Sequence, residues 1–171
     1  YIEVPKKTGK SAWASGLEIY MLVGDGEPGA EVYTAAVDRE QASIIHNLAA
    51  KMIRASPRLS AILKVIDSRK TITYARTHSR AMALSADYGS HEGLDISAVI
   101  VDELHAHKNG KLIGTLKYGG AARTQPLFIV LTTAGIYDIT SVGWKEHEYA
   151  LRNQTGFGGG EDIEYFSYIA L

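Results

Sequence analysis

The sequence predicts an α/β domain with a mostly parallel central sheet flanked by helices, and two observations carry that reading. Ile96–Val101 and Pro126–Leu131 are continuous apolar runs, the pattern of strands buried on both faces. Short β-rich segments also alternate with segments of helical periodicity, the order required by parallel strands joined through crossover helices. With 171 residues, 46% hydrophobic and 22% charged, the chain has the length and usage of one globular domain, which excludes a disordered tail.

The elements follow in order. Tyr1–Val4 alternates like the end of a strand. The apolar pattern from Lys10 to about Val23 fits a helix, closed by Gly24-Asp25-Gly26 and Pro28-Gly29. Glu31–Ala36 reads as a short strand. Asp38 is a good N-cap with Gln41 at the capping-box position, and Ala42, Ile45, Leu48, Ala49, Met52 and Ile53 form one helical face. Ser56-Pro57 stops or kinks that helix. Between Leu63 and Ala86, Ile72, Tyr74 and the Met82–Leu84 pair suggest two strands around the polar stretch 76–80, followed by a loop over 85–90. A weak helix is expected over Lys111–Tyr118 and an amphipathic one over Ser141–Asn153, with a glycine-rich segment at 156–160. Tyr165–Leu171 looks like another strand being entered, and both ends read as those of a piece cut from a longer protein.

Charge and composition narrow the function classes. Eighteen Lys and Arg against 19 Asp and Glu give a net charge of -1, so any nucleic-acid contact must be local or shared with another domain. No cysteine is present, which excludes disulfide scaffolds and thiolate metal sites. No apolar run approaches membrane-spanning length.

The chemistry begins at Pro5-Lys6-Lys7-Thr8-Gly9-Lys10-Ser11, between a strand end and a helix start. That context suits a phosphate-binding loop of the G-x-x-x-x-G-K-[ST] type, although Val4 holds the first glycine position. Backbone N–H groups and the helix N-terminus would still point at an anion, Gly9 would allow close approach, Lys10 would reach the phosphates and Ser11 would hold Mg²⁺. A solvated basic turn is the plainer alternative. Val99-Ile100-Val101-Asp102-Glu103 then ends a buried strand in two carboxylates. Asp102 would hold Mg²⁺ and Glu103 would polarise a water, and the metal would offset the repulsion between the two acids. An acidic pair starting a helix is the competing reading. His105 and His107 follow as H-x-H. On a helix they would face apart and chelate poorly, so they read as surface or supporting histidines. Leu131-Thr132-Thr133-Ala134-Gly135 closes the other buried strand with small hydroxyl residues able to sense a γ-phosphate.

Taken together, these segments resemble the ATPase domain of the large terminase subunit of tailed double-stranded-DNA bacteriophages. Residues 5–11 look like its deviant Walker A, 32–42 like its second strand and following helix, 99–107 like its Walker B segment and 131–135 like its coupling motif. The resemblance spans nearly the whole chain. It implies a P-loop NTPase fold of the additional-strand, catalytic-glutamate, RecA-like class, with the coupling strand between the Walker A and Walker B strands. It implies ATP and Mg²⁺ as cofactors. Lys7, Thr8, Gly9, Lys10 and Ser11 would bind nucleotide, and Ser11 and Asp102 the metal. Glu103 would be the catalytic base, assisted by Lys10 and Lys6, while Thr132, Thr133, Ala134 and Gly135 would couple hydrolysis to motion.

The implied partners are double-stranded DNA, a portal protein and a small terminase subunit. A homo-oligomeric ring is implied during packaging, with a monomer in isolation as the alternative, no membrane, and the host cytoplasm as location. The segment that grips adenine in relatives and their C-terminal nuclease domain are expected to be missing from residues 1–171. No Arg precedes the Walker B strand; His91-Glu92-Gly93 stands there, leaving Arg39, Arg76 and Arg80 as weak candidates for an arginine finger. The nearest rival is a nucleic-acid helicase, because Asp102-Glu103-Leu104-His105 fits a D-E-x-H box. A non-catalytic nucleotide-binding or DNA-docking module and a purely structural α/β domain are the remaining readings.

Overall fold

The computed structural model describes residues 1–85, 93–107, 110–135, 138–155 and 164–170. Eight strands form one sheet in the order β3-β4-β5-β2-β6-β7-β1-β8. They are β1 (Ile2–Glu3), β2 (Glu31–Ala36), β3 (Leu63–Ile66), β4 (Thr71–Tyr74), β5 (Ser79–Ser85), β6 (Ile96–Asp102), β7 (Leu127–Thr132) and β8 (Tyr168–Ile169). From β5 to β8 every pairing is parallel, and β3-β4-β5 is antiparallel. The helices are α1 (Lys10–Val23), α2 (Arg39–Ala55), the short α3 (Pro57–Ser60), α4 (Lys111–Tyr118) and α5 (Val142–Thr155).

Alternation along β6 shows why Ala98–Val101 is apolar at every position. Ala98 and Ile100 pack toward α1 and α2, while Val99 and Val101 pack toward α4 and α5. A strand in the middle of three layers buries both faces: all seven residues of β6 are buried, including Ser97, whose hydroxyl accepts from the Glu31 N–H at 3.2 Å. β7 meets the same expectation only in its second half. Leu127, Phe128 and Ile129 are half-buried, because β1 pairs with β7 only from Leu131 onward. β7 lies between β1 and β6, the place that the resemblance gives to a coupling strand.

The stretch from 63 to 85 holds three strands instead of two. Leu63–Ile66 pairs antiparallel with Thr71–Tyr74 across a 3-10 turn at Asp67–Arg69. The expected loop over 85–90 falls largely outside the described residues. Asp38 caps α2 by accepting from the Gln41 N–H at 2.8 Å. Ser56 both ends α2 and caps α3, whose first residue is Pro57.

Among the described residues, Glu18 and His46 are fully buried in the helical layer over the sheet with no side-chain hydrogen-bond partner. Glu18 on α1 is fully buried, and neither carboxyl oxygen meets a hydrogen-bond donor among the described residues. Burial pushes its carboxyl up to about 8 from 4.5. The folded chain therefore keeps a proton there that the unfolded chain has released, so stability falls as pH rises between those values. His46 on α2 is also fully buried, and burial pushes it down to about 4 from 6.5. Its contribution has the opposite sign, because stability is lost as pH falls through that window. Glu18→Gln is expected to flatten the alkaline decline and raise the melting temperature at pH 8, measured by thermal denaturation between pH 5 and 8. An unchanged pH slope would show that Glu18 ionises freely in the fold.

Candidate functional site

β1 ends at Glu3, and the Val4 N–H continues the ladder to the Thr132 carbonyl at 3.2 Å. The chain then turns through Pro5–Gly9 into α1. The Thr8 hydroxyl closes the turn by donating to the Pro5 carbonyl at 2.8 Å. Two residues of the loop have positive φ, Lys7 (67°) and Gly9 (88°). Gly9 reaches that conformation without strain, whereas Lys7 carries a side chain there at a cost of about 1–2 kcal/mol. The loop thus keeps a left-handed backbone even though its first glycine is a valine.

Across the sheet edge, β6 delivers Asp102 and Glu103. Asp102 is 6% exposed, and its Oδ1 accepts from the Glu103 N–H at 2.9 Å. Burial, and secondarily the charge of Glu103, holds the Asp102 carboxyl above the usual carboxylate range. Glu103 is itself left-handed, with φ 54° and ψ 48°. A non-glycine residue in that region is a strained position that the surroundings must hold in place.

The two motifs meet. Lys10 Nζ lies 3.6 Å from Glu103 Oε1, and it is buried with no hydrogen-bond acceptor among the described residues. They share a cavity of about 610 Å³ whose walls include Lys6, Lys7, Gly9, Lys10, Ser11, Asp102 and Glu103. α2 closes it with Gln41, Ile44 and Leu48, which sequence reasoning assigned to capping and core packing or passed over. The signal for Ile44 was its place off the apolar face of α2: it is 48% exposed. Thr8 is exposed and is not part of the wall.

The residues expected to couple hydrolysis to motion stand one cavity away. Thr132, Thr133, Ala134 and Gly135 line a neighbouring space of about 470 Å³ with Glu3, Trp144 and His147. Glu3 is buried there, accepting from the Tyr1 hydroxyl at 2.6 Å and facing His147 Nδ1 at 2.7 Å. His105 joins the two spaces. Its Nε2 is 3.1 Å from Glu103 Oε2, and its Nδ1 is 3.0 Å from Thr132 Oγ1. A Cβ on Gly135 or Gly143 would approach His105 within 3.0 and 3.1 Å, so these glycines let the chain close around it. His105 is therefore not a plain surface histidine. His107 is buried, hydrogen-bonds the Asp102 backbone and is pushed below its ordinary range by burial. Among the described residues no group of three or more His, Asp or Glu is arranged to hold a metal.

Of the three arginines considered as fingers, Arg80 is occupied by Glu31 at 2.6 Å. Arg76 lies over the Tyr74 ring at 5.6 Å, and the Arg39 side chain and His91-Glu92 lie outside the described residues.

Comparison with known proteins decides the family. Residues 1–152 match the family described as "Terminase large subunit, ATPase domain". The chain belongs to that family. A curated relative, the large terminase subunit of Enterobacteria phage HK97, is 29% identical over 140 residues, spanning 80% of this chain and 28% of the relative. The crystal structure of the HK97 large terminase superposes with a TM-score of 0.80 at 25% identity, over 90% of this chain and 33% of that one. The Thermus phage P74-26 large terminase ATPase domain has the same fold, with a TM-score of 0.63 at 19% identity over 79% of this chain and 59% of that one. So does the ADP complex of a large terminase from a thermophilic bacteriophage, at 0.57 and 12% over 92% of this chain and 44% of that one. This terminase ATPase domain spans 28% of the length of the curated HK97 relative.

Proposed function

We propose that this terminase ATPase domain hydrolyses ATP to drive packaging of double-stranded DNA, and that the cavity between Lys10 and Glu103 is where hydrolysis occurs. The observation that carries the reading is the Lys10 ammonium, buried with no hydrogen-bond acceptor among the described residues and 3.6 Å from Glu103. A buried donor left unmade costs about 1–3 kcal/mol, and phosphate oxygens in that cavity would supply the missing acceptors. In this account the N–H groups of residues 7–11 and the start of α1 hold the phosphates, with Lys6 adding positive charge at the outer end.

The donors fit a hard cation. The Ser11 hydroxyl and the Asp102 carboxylate are oxygen ligands of the kind Mg²⁺ takes beside nucleotide phosphates, and a cation would offset the burial and repulsion that raise Asp102. Bound Mg²⁺ would supply charge neutralisation at the phosphates. Glu103 orients the attacking water and accepts its proton. Loss of the γ-phosphate frees Lys10 and Glu103 to re-form the ion pair seen here, and His105 passes the movement to Thr132 and the segment through Gly135. The partners of this reading are double-stranded DNA, a portal protein and a small terminase subunit, met by a ring of copies in the host cytoplasm. The D-E-x-H pattern also fits a helicase, but the family match favours packaging.

Phosphate release from ATP tests the reading. Turnover is expected with Mg²⁺ and not with excess EDTA, without separation of the strands of a duplex. Metal-independent turnover, or strand separation, would refute it.

A further inference from the structure

Charge is unevenly placed in this chain. Residues 47–80 hold eight of the 18 Lys and Arg but one of the 19 Asp and Glu. Lys51, Arg54, Arg58, Lys64, Arg69, Arg76 and Arg80 are all exposed, and Lys70 is half-buried. A domain that is acidic elsewhere thus presents one strongly basic end.

The fold gathers these residues around the edge of the sheet. β3 is the terminal strand, so its outer backbone groups have no strand partner among the described residues. Lys64 stands opposite Thr73, which stands opposite Arg80, in a row across three strands. The turn between β3 and β4 is tied to α2 at two points, by Arg54–Asp67 at 2.6 Å and Lys70–Asn47 at 3.1 Å. Asn47, Lys51 and Arg54 are one helical turn apart, so Lys51 joins the same ridge. Arg54 and Lys64 line a hollow of about 430 Å³ along β3 that is continued by Ser60 and Ile62. Lys51, Arg58, Lys64 and Arg69 pair with no carboxylate among the described residues.

We propose that this edge, made of β3, the β3–β4 turn and the second half of α2, is the surface that holds the phosphodiester backbone of double-stranded DNA. The proposal rests on the packaging reading above. Lysine on an edge strand also guards against strand addition, but that role does not account for Lys51, Arg58 and Arg69, which lie on helices and a turn. Cations with no carboxylate partner among the described residues, set beside hydroxyls and the edge backbone of β3, match a repeating phosphate chain. The placement also connects to the nucleotide site. Thr71 pairs with Met82, and the Ala83 N–H donates to the Lys70 carbonyl, so the turn lies toward the carboxyl ends of the parallel strands, where the phosphate cavity opens. α2 lines that cavity through Gln41, Ile44 and Leu48 and holds the basic turn through Asn47 and Arg54. One helix therefore carries both sites.

The test is binding of a fluorescein-labelled duplex of about 30 base pairs and mixed sequence, followed by anisotropy across a salt series. The protein is compared with a variant carrying Arg58→Glu, Lys64→Glu and Arg69→Glu, and with a control carrying Lys145→Glu and Arg152→Glu on α5. The triple variant is expected to lose about 30-fold or more in affinity at about 100 mM salt. Its log–log salt slope should be shallower by about 2.7, for three phosphate contacts at about 0.9 each. Its affinity for Mg·ATP, which reports folding, should be unchanged, and the control should bind duplex like the parent. If the triple variant does not fold, Lys64→Glu alone is expected to lower affinity and make the slope shallower by about 0.9. Wild-type duplex affinity in the variants, or an equal loss in the control, would overturn the proposal. So would polyglutamate competing as well as unlabelled duplex, since that outcome assigns the surface to an acidic protein. Absence of duplex binding by a protein that hydrolyses ATP would overturn the surface and leave the ATPase reading standing. Absence of hydrolysis with duplex binding lost in the triple variant would do the reverse.

Discussion

Lys10→Ala is expected to abolish stabilisation by Mg·ATP while leaving the nucleotide-free protein about as stable as before. The two halves follow from the same geometry. Among the described residues the buried ammonium has no hydrogen-bond acceptor and one carboxylate partner, at 3.6 Å. Removing the ammonium relieves its desolvation and loses that one attraction, and it does not strand a buried charge, because Glu103 is 28% exposed and also faces His105 Nε2 at 3.1 Å. With ATP present the balance changes. Each hydrogen bond between the ammonium and a phosphate oxygen contributes about 1.5–3 kcal/mol, so losing two reduces affinity by about a hundredfold or more. Calorimetric titration with Mg·ATP and a thermal shift with and without nucleotide measure the two halves. Undiminished affinity would remove Lys10 from the phosphate site. A large loss of stability without nucleotide would mean that its pairing with Glu103 is mainly structural.

Glu103→Gln is expected to keep ATP binding and lose turnover. The amide has the shape of the carboxylate and the same tolerance of the left-handed backbone, so the 3-10 turn at Leu104–Ala106 should persist. Removing a negative charge from the phosphate cavity should leave ATP affinity equal or higher. Without a proton acceptor, the rate should fall by about 10²–10⁴-fold. Steady-state phosphate release and nucleotide titration on the same preparation separate the outcomes. Retained turnover would take Glu103 out of the base role and leave Asp102 or a water as the acceptor.

Much of this was legible in the chain, for identifiable reasons. α1 and β2 appear at the residues expected, because Gly9 and Gly24 bracket one and β-rich residues fill the other. The meeting of Lys10 with Glu103 was readable because a strand-to-helix loop and an acidic strand end belong at the same edge of a parallel sheet. β3 was not read as a strand, since Leu63-Lys64-Val65-Ile66 is too short to show its period and its pairing depends on a partner strand beyond the next turn. His105 takes the supporting one of the two places expected for it, but not on an α-helix after Glu103. The left-handed Glu103 and a 3-10 turn swing the imidazole back between Glu103 and Thr132. Glu18 carried a signal of its own, a carboxylate within the apolar pattern of α1, but its complete burial depends on how α1 packs in the fold.

The central claim is that the Lys10 ammonium and the Asp102 and Glu103 carboxylates surround one magnesium-bound triphosphate. A structure of the protein with Mg²⁺ and a non-hydrolysable ATP analogue tests it most directly. The account predicts Lys10 Nζ within hydrogen-bond distance of the terminal phosphates, turned away from Glu103. It also predicts Mg²⁺ at about 2.1 Å from the Ser11 hydroxyl, with Asp102 beside it. A nucleotide held elsewhere, with the Lys10–Glu103 pair still closed, would contradict it.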